Sequence, residues 1–235
     1  MLTFKELGKW GRLGNQLFQI AAVIGTAKAN NKGYCFPKWE HQGDFINYLP
    51  ECDLQFCKPL QEKGFNYSPL KVEDGNHDLK GYFQSYKYWK DKDILPYFQF
   101  KKQEEPLNFV SVHVRRTDYT EKPNYHTNLD INNYYKHIVK HFLGKDILIF
   151  SDDIEFCKKH FKGPGCYFSE GRTPIEDLRL MSLCEHNVIA NSSFSWWGAY
   201  LNKNPDKKVI APKAWFGPDG PKDTSDLIPK EWIRV

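Results

Sequence analysis

From about residue 107 to the C-terminus, short aliphatic runs alternate with longer stretches whose apolar positions recur every three or four residues. A chain patterned this way buries its apolar surface as a parallel sheet with helices on both faces. The periodicity predicts strands over 110–114, 147–150, 187–190 and 208–212, and helices over 131–142, 154–161 and 194–201. Another helix begins at Thr173-Pro174-Ile175-Glu176, which combines an N-cap threonine, a proline at the first helical position and a capping-box glutamate. In such a fold ligands bind beyond the carboxyl ends of the strands.

The first half is less regular. An apolar stretch over 2–7 reads as a strand and is followed by a glycine-containing loop. Leu13, Leu17, Ile20, Ala21 and Ile24 then mark one apolar face of a helix. Residues 31–103 alternate aromatic patches with proline-containing turns and predict no clear element order. Lys101-Lys102-Gln103-Glu104-Glu105-Pro106 is the most polar short segment, so the boundary is expected there, with domains over 1–105 and 106–235. With 235 residues, 40% of them hydrophobic, the chain suits one compact unit or two small ones of the α/β class.

Several function classes lose support. The net charge of +4 is spread along the chain rather than gathered in a basic stripe, so no nucleic-acid partner is expected. No apolar run approaches the roughly 20 residues of a membrane span, and the first residues lack the apolar core of a signal peptide, so a cytoplasmic location is expected. The 6 cysteines contain no C-x-x-C pair, and neither a disulfide nor a structural zinc is expected. Phosphate-binding P-loop, dinucleotide G-x-G-x-x-G and hydrolase G-x-S-x-G patterns are all missing from the sequence.

Polar clusters follow four of the expected strands. Gly11-Arg12-Leu13-Gly14-Asn15-Gln16 opens the first helix, where free N–H groups favour an anion, although the same residues also suit a plain strand-to-helix turn. His113-Val114-Arg115-Arg116-Thr117-Asp118-Tyr119 brings two guanidinium forks to a strand end. Parity allows one of them to face a ligand beside His113, while the other pairs with an Asp. Ser151-Asp152-Asp153 fits an N-cap, with Asp152 and Glu155 at capping-box spacing, and equally offers a carboxylate to a guanine edge. Asn191-Ser192-Ser193-Phe194 places two hydroxyls at a helix mouth, as an N-cap or as a phosphate cradle. No carboxylate or histidine cluster reads as a divalent metal site.

These motifs, with Gly81-Tyr82-Phe83-Gln84-Ser85, resemble in order and spacing those of the α-1,2-fucosyltransferases of glycosyltransferase family 11, over about residues 8–215. The resemblance implies a GT-B-like α/β fold, two Rossmann-like halves facing across a cleft with the N-terminal one reduced. It implies an inverting, metal-independent transfer of L-fucose from GDP-β-L-fucose to the 2-hydroxyl of a terminal galactoside, without a cofactor. Arg115, Asp118 and Asn15 would be catalytic. Arg12, Gly14, Asn15, His113, Arg115, Ser151, Asp152, Ser192, Ser193 and Phe194 would bind the donor, with Arg115 on the pyrophosphate and Asp152 on guanine. Thr117 stands where the family motif has glycine. A different acceptor such as rhamnose, or a glycan-binding relative without activity, are the competing readings. The implied partners are GDP-fucose and an oligosaccharide or glycoside acceptor.

Overall fold

A computed structural model describes residues 1–129 and 133–235. The chain forms two compact units, Met1–Gln103 with Asp223–Pro229, and Glu104–Lys222 with Lys230–Val235. The division falls two residues before the expected boundary, and the segment 223–229 returns to the first unit.

The first unit holds a small parallel sheet of β1 (Leu2–Thr3), β2 (Lys58–Gln61) and β3 (His77–Lys80) in the order β1-β3-β2. Its principal helix is α1 (Leu13–Ala29). Gly11 turns the chain at φ 77° and Arg12 is extended, so the helix starts without a side-chain cap. At the other end Asn31 adopts φ 51°, and Lys32 N–H donates to Ala27 O at 3.0 Å, a Schellman closure. The expected single apolar face is too narrow: from Leu13 to Ala27 every residue except Asn15 is buried. Gln16 is tolerated inside because it accepts from Trp39 Nε1 at 2.8 Å and donates to Gly11 O at 3.2 Å.

Cys35 and Cys52 form a disulfide with Cα atoms 5.6 Å apart, contrary to the expectation that no cysteines pair. A parallel bridge between Phe36 and Glu51, with Phe36 N–H donating to Pro50 O and Cys52 N–H to Phe36 O, brings the two cysteines together across a loop that spacing motifs do not register.

The second unit carries β4 (Leu107–Val114), β5 (Ile147–Ser151), β6 (Cys166–Phe168), β7 (Cys184–Val188), β8 (Val209–Ala211) and β9 (Ile233–Arg234). All pair in parallel in the order β6-β5-β4-β7-β8-β9. This is the doubly wound order, and the direction of winding reverses between β4 and β7. Val110, Val112, Ile149 and Ile210 are fully buried, with Tyr134, Tyr135, Ile138 and Phe142 packed over them. The helices are α2 (Thr117–Thr120), α3 (His137–His141), α4 (Ile154–His160), α5 (Pro174–Leu183) and α6 (Ser193–Leu201). The last two approach closely because Gly198 has no side chain: a Cβ there would sit 2.7 Å from Met181 Cβ.

Differences from the expected elements have local causes. The helix expected over 131–142 contains only α3 among described residues, and 130–132 lie outside them. β7 begins three residues early because Cys184 ends α5 and starts the strand with no loop between. No helix among the described residues is long and apolar enough to cross a membrane.

Candidate active site

At the carboxyl end of β4 the alternation of the strand sends Val112 and Val114 into the core and leaves His113 facing the first residues of α6. His113 Nδ1 lies 2.8 Å from Ser195 Oγ, and its ring packs 5.6 Å from that of Phe194. Burial, and to a smaller degree the Arg115 cation, push its pKa down to about 3, so the imidazole is neutral across the physiological range.

Arg115 follows the strand and is held by two carboxylates. Nη2 donates to Asp118 Oδ1 at 2.7 Å, and Nη1 lies 3.2 Å from Asp152 Oδ2. Arg116 points elsewhere: Nε donates to Asp153 Oδ2 at 3.2 Å and the guanidinium covers the Phe156 ring at 3.4 Å. The two arginines therefore part, although β4 ends at Val114 and Arg116 leaves the extended backbone, so the divergence comes from the turn into α2 rather than from strand parity. Asp118 holds Arg115.

Asp152 also accepts from Arg116 N–H at 2.9 Å and from the Thr117 hydroxyl. Burial raises its carboxyl pKa, but the Thr117 hydroxyl, Arg115 and the Arg116 N–H outweigh it and hold the group below the ordinary carboxylate value. The expected capping box at Asp152 is not formed. Asp153 caps α4 instead, accepting from Phe156 N–H at 3.1 Å, and Ser151 Oγ accepts from Asp153 N–H at 3.0 Å to shape the turn. Thr117 uses its hydroxyl to fasten the loop to Asp152.

Across the switch point, Ser192 caps α6 by accepting from Phe194 N–H at 3.3 Å, and Ser193 is the first helical residue. Tyr119 ties the arginine loop to this helix mouth. Its hydroxyl donates to Asn191 O at 2.9 Å, and its ring lies 5.5 Å from the Arg115 guanidinium and stacks on His126 at 3.7 Å. Beyond that stack is a recess of about 480 Å³ lined by Glu121, Lys122, Tyr125, His126 and Asp219 among others. Carboxylates beside an aromatic face are groups that can bind sugar hydroxyls and ring faces.

Within the second unit the structure thus gathers His113, Arg115, Asp118, Ser151, Asp152, Ser192, Ser193 and Phe194 around the carboxyl ends of the central strands β4, β5 and β7. Arg12, Gly14 and Asn15 lie together at the start of α1 in the first unit. Sequence reasoning missed Asp177, a half-buried carboxylate at the start of α5. It is pushed upward by burial and accepts from Ser169 Oγ just past β6. The signal would have been β6 itself, a strand of 3 residues that periodicity does not reveal. Among the described residues no group of three or more His, Cys, Asp or Glu side chains could hold a metal ion.

The model of a protein family described as glycosyl transferase family 11 matches residues 92–235. Over 218 residues the chain is 40% identical to an alpha-1,2-colitosyltransferase of Escherichia coli, a match spanning 81% of this chain and 73% of that protein. It is 33% identical over 216 residues to O-antigen biosynthesis glycosyltransferase WbnK of Escherichia coli, spanning 80% and 68% respectively. Among solved structures, the fold is similar to that of the fucosyltransferase NodZ from Bradyrhizobium, with a TM-score of 0.52 at 11% identity over 85% of this chain and 92% of that one.

Proposed function

The chain belongs to glycosyltransferase family 11, and from that membership we propose that it moves L-fucose from GDP-β-L-fucose to the 2-hydroxyl of a terminal galactoside, with inversion and without a metal. The observation that carries the reading is Arg115, a guanidinium just past β4 that lies 5.5 Å from the Tyr119 ring, whose hydroxyl in turn meets Asn191 O before α6, so that a fixed cation and helix N–H groups are available to a pyrophosphate.

In the proposed reaction the acceptor oxygen bonds to C1 of fucose as the bond from C1 to the β-phosphate oxygen breaks. The sugar passes through an oxocarbenium-like state, and the electron pair leaves with GDP. Arg115 and the N–H groups of Ser192 and Ser193 stabilise that negative charge, on the order of 3 kcal/mol for a well-placed donor, while the Phe194 N–H is held by the Ser192 cap. The acceptor proton passes to Asp118 or to a phosphate oxygen. His113 stays neutral and orders the Ser195 end of α6. Asp152 and Ser151 shape the loops around the arginine, and Arg12, Gly14 and Asn15 supply further donor contacts. The acceptor occupies the recess beside Tyr119 and His126.

A second reading concerns the donor sugar. The 40% identical relative is named for colitose, which is L-fucose without its 3-hydroxyl, so a GDP-linked deoxy sugar is the alternative donor. Incubating the pure protein with GDP-fucose or GDP-colitose and a panel of β-galactosides and rhamnosides, with and without EDTA, and analysing product linkages decides between them. An α-1,2-fucosyl galactoside formed equally well in EDTA is the expected product. Strict dependence on an added divalent ion would overturn the mechanism.

A further inference from the structure

In the first unit Gln84 Nε2 donates to Asn15 Oδ1 at 2.7 Å, joining the turn 81–85 to the loop that opens α1. Asn15 is the one residue between Leu13 and Ala27 that the helix does not bury. Its side chain lies over Gly11, where a Cβ would come within 2.6 Å of Asn15 Cβ. The carboxamide therefore has a floor, which Gly11 leaves open, and a hydrogen-bonded wall, which Gln84 supplies.

The turn that delivers Gln84 is held in an unfavourable conformation. Gly81 has φ 153°, and Phe83, completely buried, has φ 52°, a left-handed backbone that residues with side chains resist. Glu62 stitches the turn by accepting from Tyr82 N–H at 2.8 Å and from Phe83 N–H. A Cβ on Gly81 would collide with Glu62, 2.5 Å from its Cβ. Ser85 closes the far side, donating from Oγ to Asp226 O at 3.1 Å. Backbone strain persists only where its surroundings over-determine it, and it gathers at functional sites.

We infer that the turn 81–85 is a clamp for the Asn15 carboxamide, with Gln84 a positioning residue of the donor site. An amide presents an acceptor at one end and a donor at the other. Because Gln84 takes up Oδ1, the Nδ2 end is the one offered, and an N–H suits a phosphate or sugar oxygen where a carbonyl would repel it. This rests on the proposal that Asn15 contacts the donor.

Gln84→Glu tests the clamp with almost no change of shape. A carboxylate cannot donate to Oδ1. It accepts from Nδ2 instead and turns the Asn15 carbonyl outward. Transfer from GDP-L-fucose should fall about tenfold in kcat/KM for Gln84→Ala, the equivalent of one lost hydrogen bond, and about a hundredfold for Gln84→Glu, where an attraction becomes a repulsion. Both variants should melt within about 2 °C of the wild type. In the double variant Asn15→Ala with Gln84→Glu the losses should not multiply, because Gln84 acts only through Asn15. Wild-type rates in Gln84→Glu, or losses that multiply, would overturn the inference.

The side-chain amide signals of Asn15 in the ligand-free protein, identified by their disappearance in Asn15→Ala, give a readout that needs no donor. They should move downfield in Gln84→Glu as Nδ2 gains a carboxylate partner, and unmoved signals would also overturn the clamp. If the wild type does not turn over GDP-fucose while these signals move, the donor assignment fails and the clamp stands.

Discussion

Asp152 Oδ2 lies 3.2 Å from Arg115 Nη1, so the carboxylate expected to read a nucleobase is already engaged with the residue proposed to bind the pyrophosphate. The same side chain accepts from Arg116 N–H and the Thr117 hydroxyl, and with so many acceptor sites in use it acts as the anchor of the arginine loop. Asp152→Ala should therefore weaken GDP, ADP and UDP alike. Because Asp153 caps α4, the change leaves that helix end intact, and calorimetric titration of the three nucleotides is not confounded by a lost cap. A loss confined to GDP would return Asp152 to the guanine edge.

The partners of the neighbouring arginines predict opposite phenotypes. Arg115→Ala removes the cation from the site and should lower transfer more than a hundredfold, on the order of 3 kcal/mol, with little change in melting temperature. Arg116→Ala removes the Asp153 pair and the stacking on Phe156, and should cost about 1 kcal/mol of stability while leaving most of the activity. Comparable mild losses of activity in both would remove Arg115 from the pyrophosphate.

What the sequence conveyed and what it concealed follow from the length of the physical signal. β4, β5, α5 and α6 were legible because each buries several residues at a fixed period or carries a cap, as Thr173 does. β6 and β9 span 3 and 2 residues and, unlike the equally short β8 with its Val209-Ile210-Ala211, carry no aliphatic run to mark them. The arginine motif could be placed at a strand end, but its partners could not, since Asp152 meets Arg115 only through the register that pairs Val114 with Ser151. Gln84 sits in a turn motif whose sequence alone assigns it no role. Only the fold brings it to Asn15, across 69 positions of sequence.

The disulfide predicts a thiol count. Unfolded in denaturant without reductant, the protein should show the four free thiols of Cys57, Cys157, Cys166 and Cys184, and all six only after reduction. Cys35 and Cys52 are separated by 17 positions, and closing a loop of that size constrains the unfolded chain by about 3 kcal/mol. Cys52→Ser should lower stability by a similar amount. Six titratable thiols before reduction would show that the pair does not form.

The neutral His113 predicts a pH dependence of stability with a definite sign. Its folded pKa is depressed to about 3 by burial, while the unfolded chain carries an ordinary histidine near 6.5. Above pH 6.5 neither state binds the proton, and the contribution of the buried ring is fully present. As the pH falls below 6.5 the unfolded state takes up a proton that the folded state refuses, and stability drains away by up to about 1.4 kcal/mol per pH unit until the pH nears 3. His113→Gln keeps a polar group facing Ser195 but cannot titrate. The stability gap between wild type and variant, measured by urea unfolding at pH 7.5, 6, 5 and 4.5, should therefore shrink steadily on acidification. A gap that stays constant over that range would mean that His113 takes up its proton in the folded protein at an ordinary pH, and would reopen it as a proton carrier in the reaction.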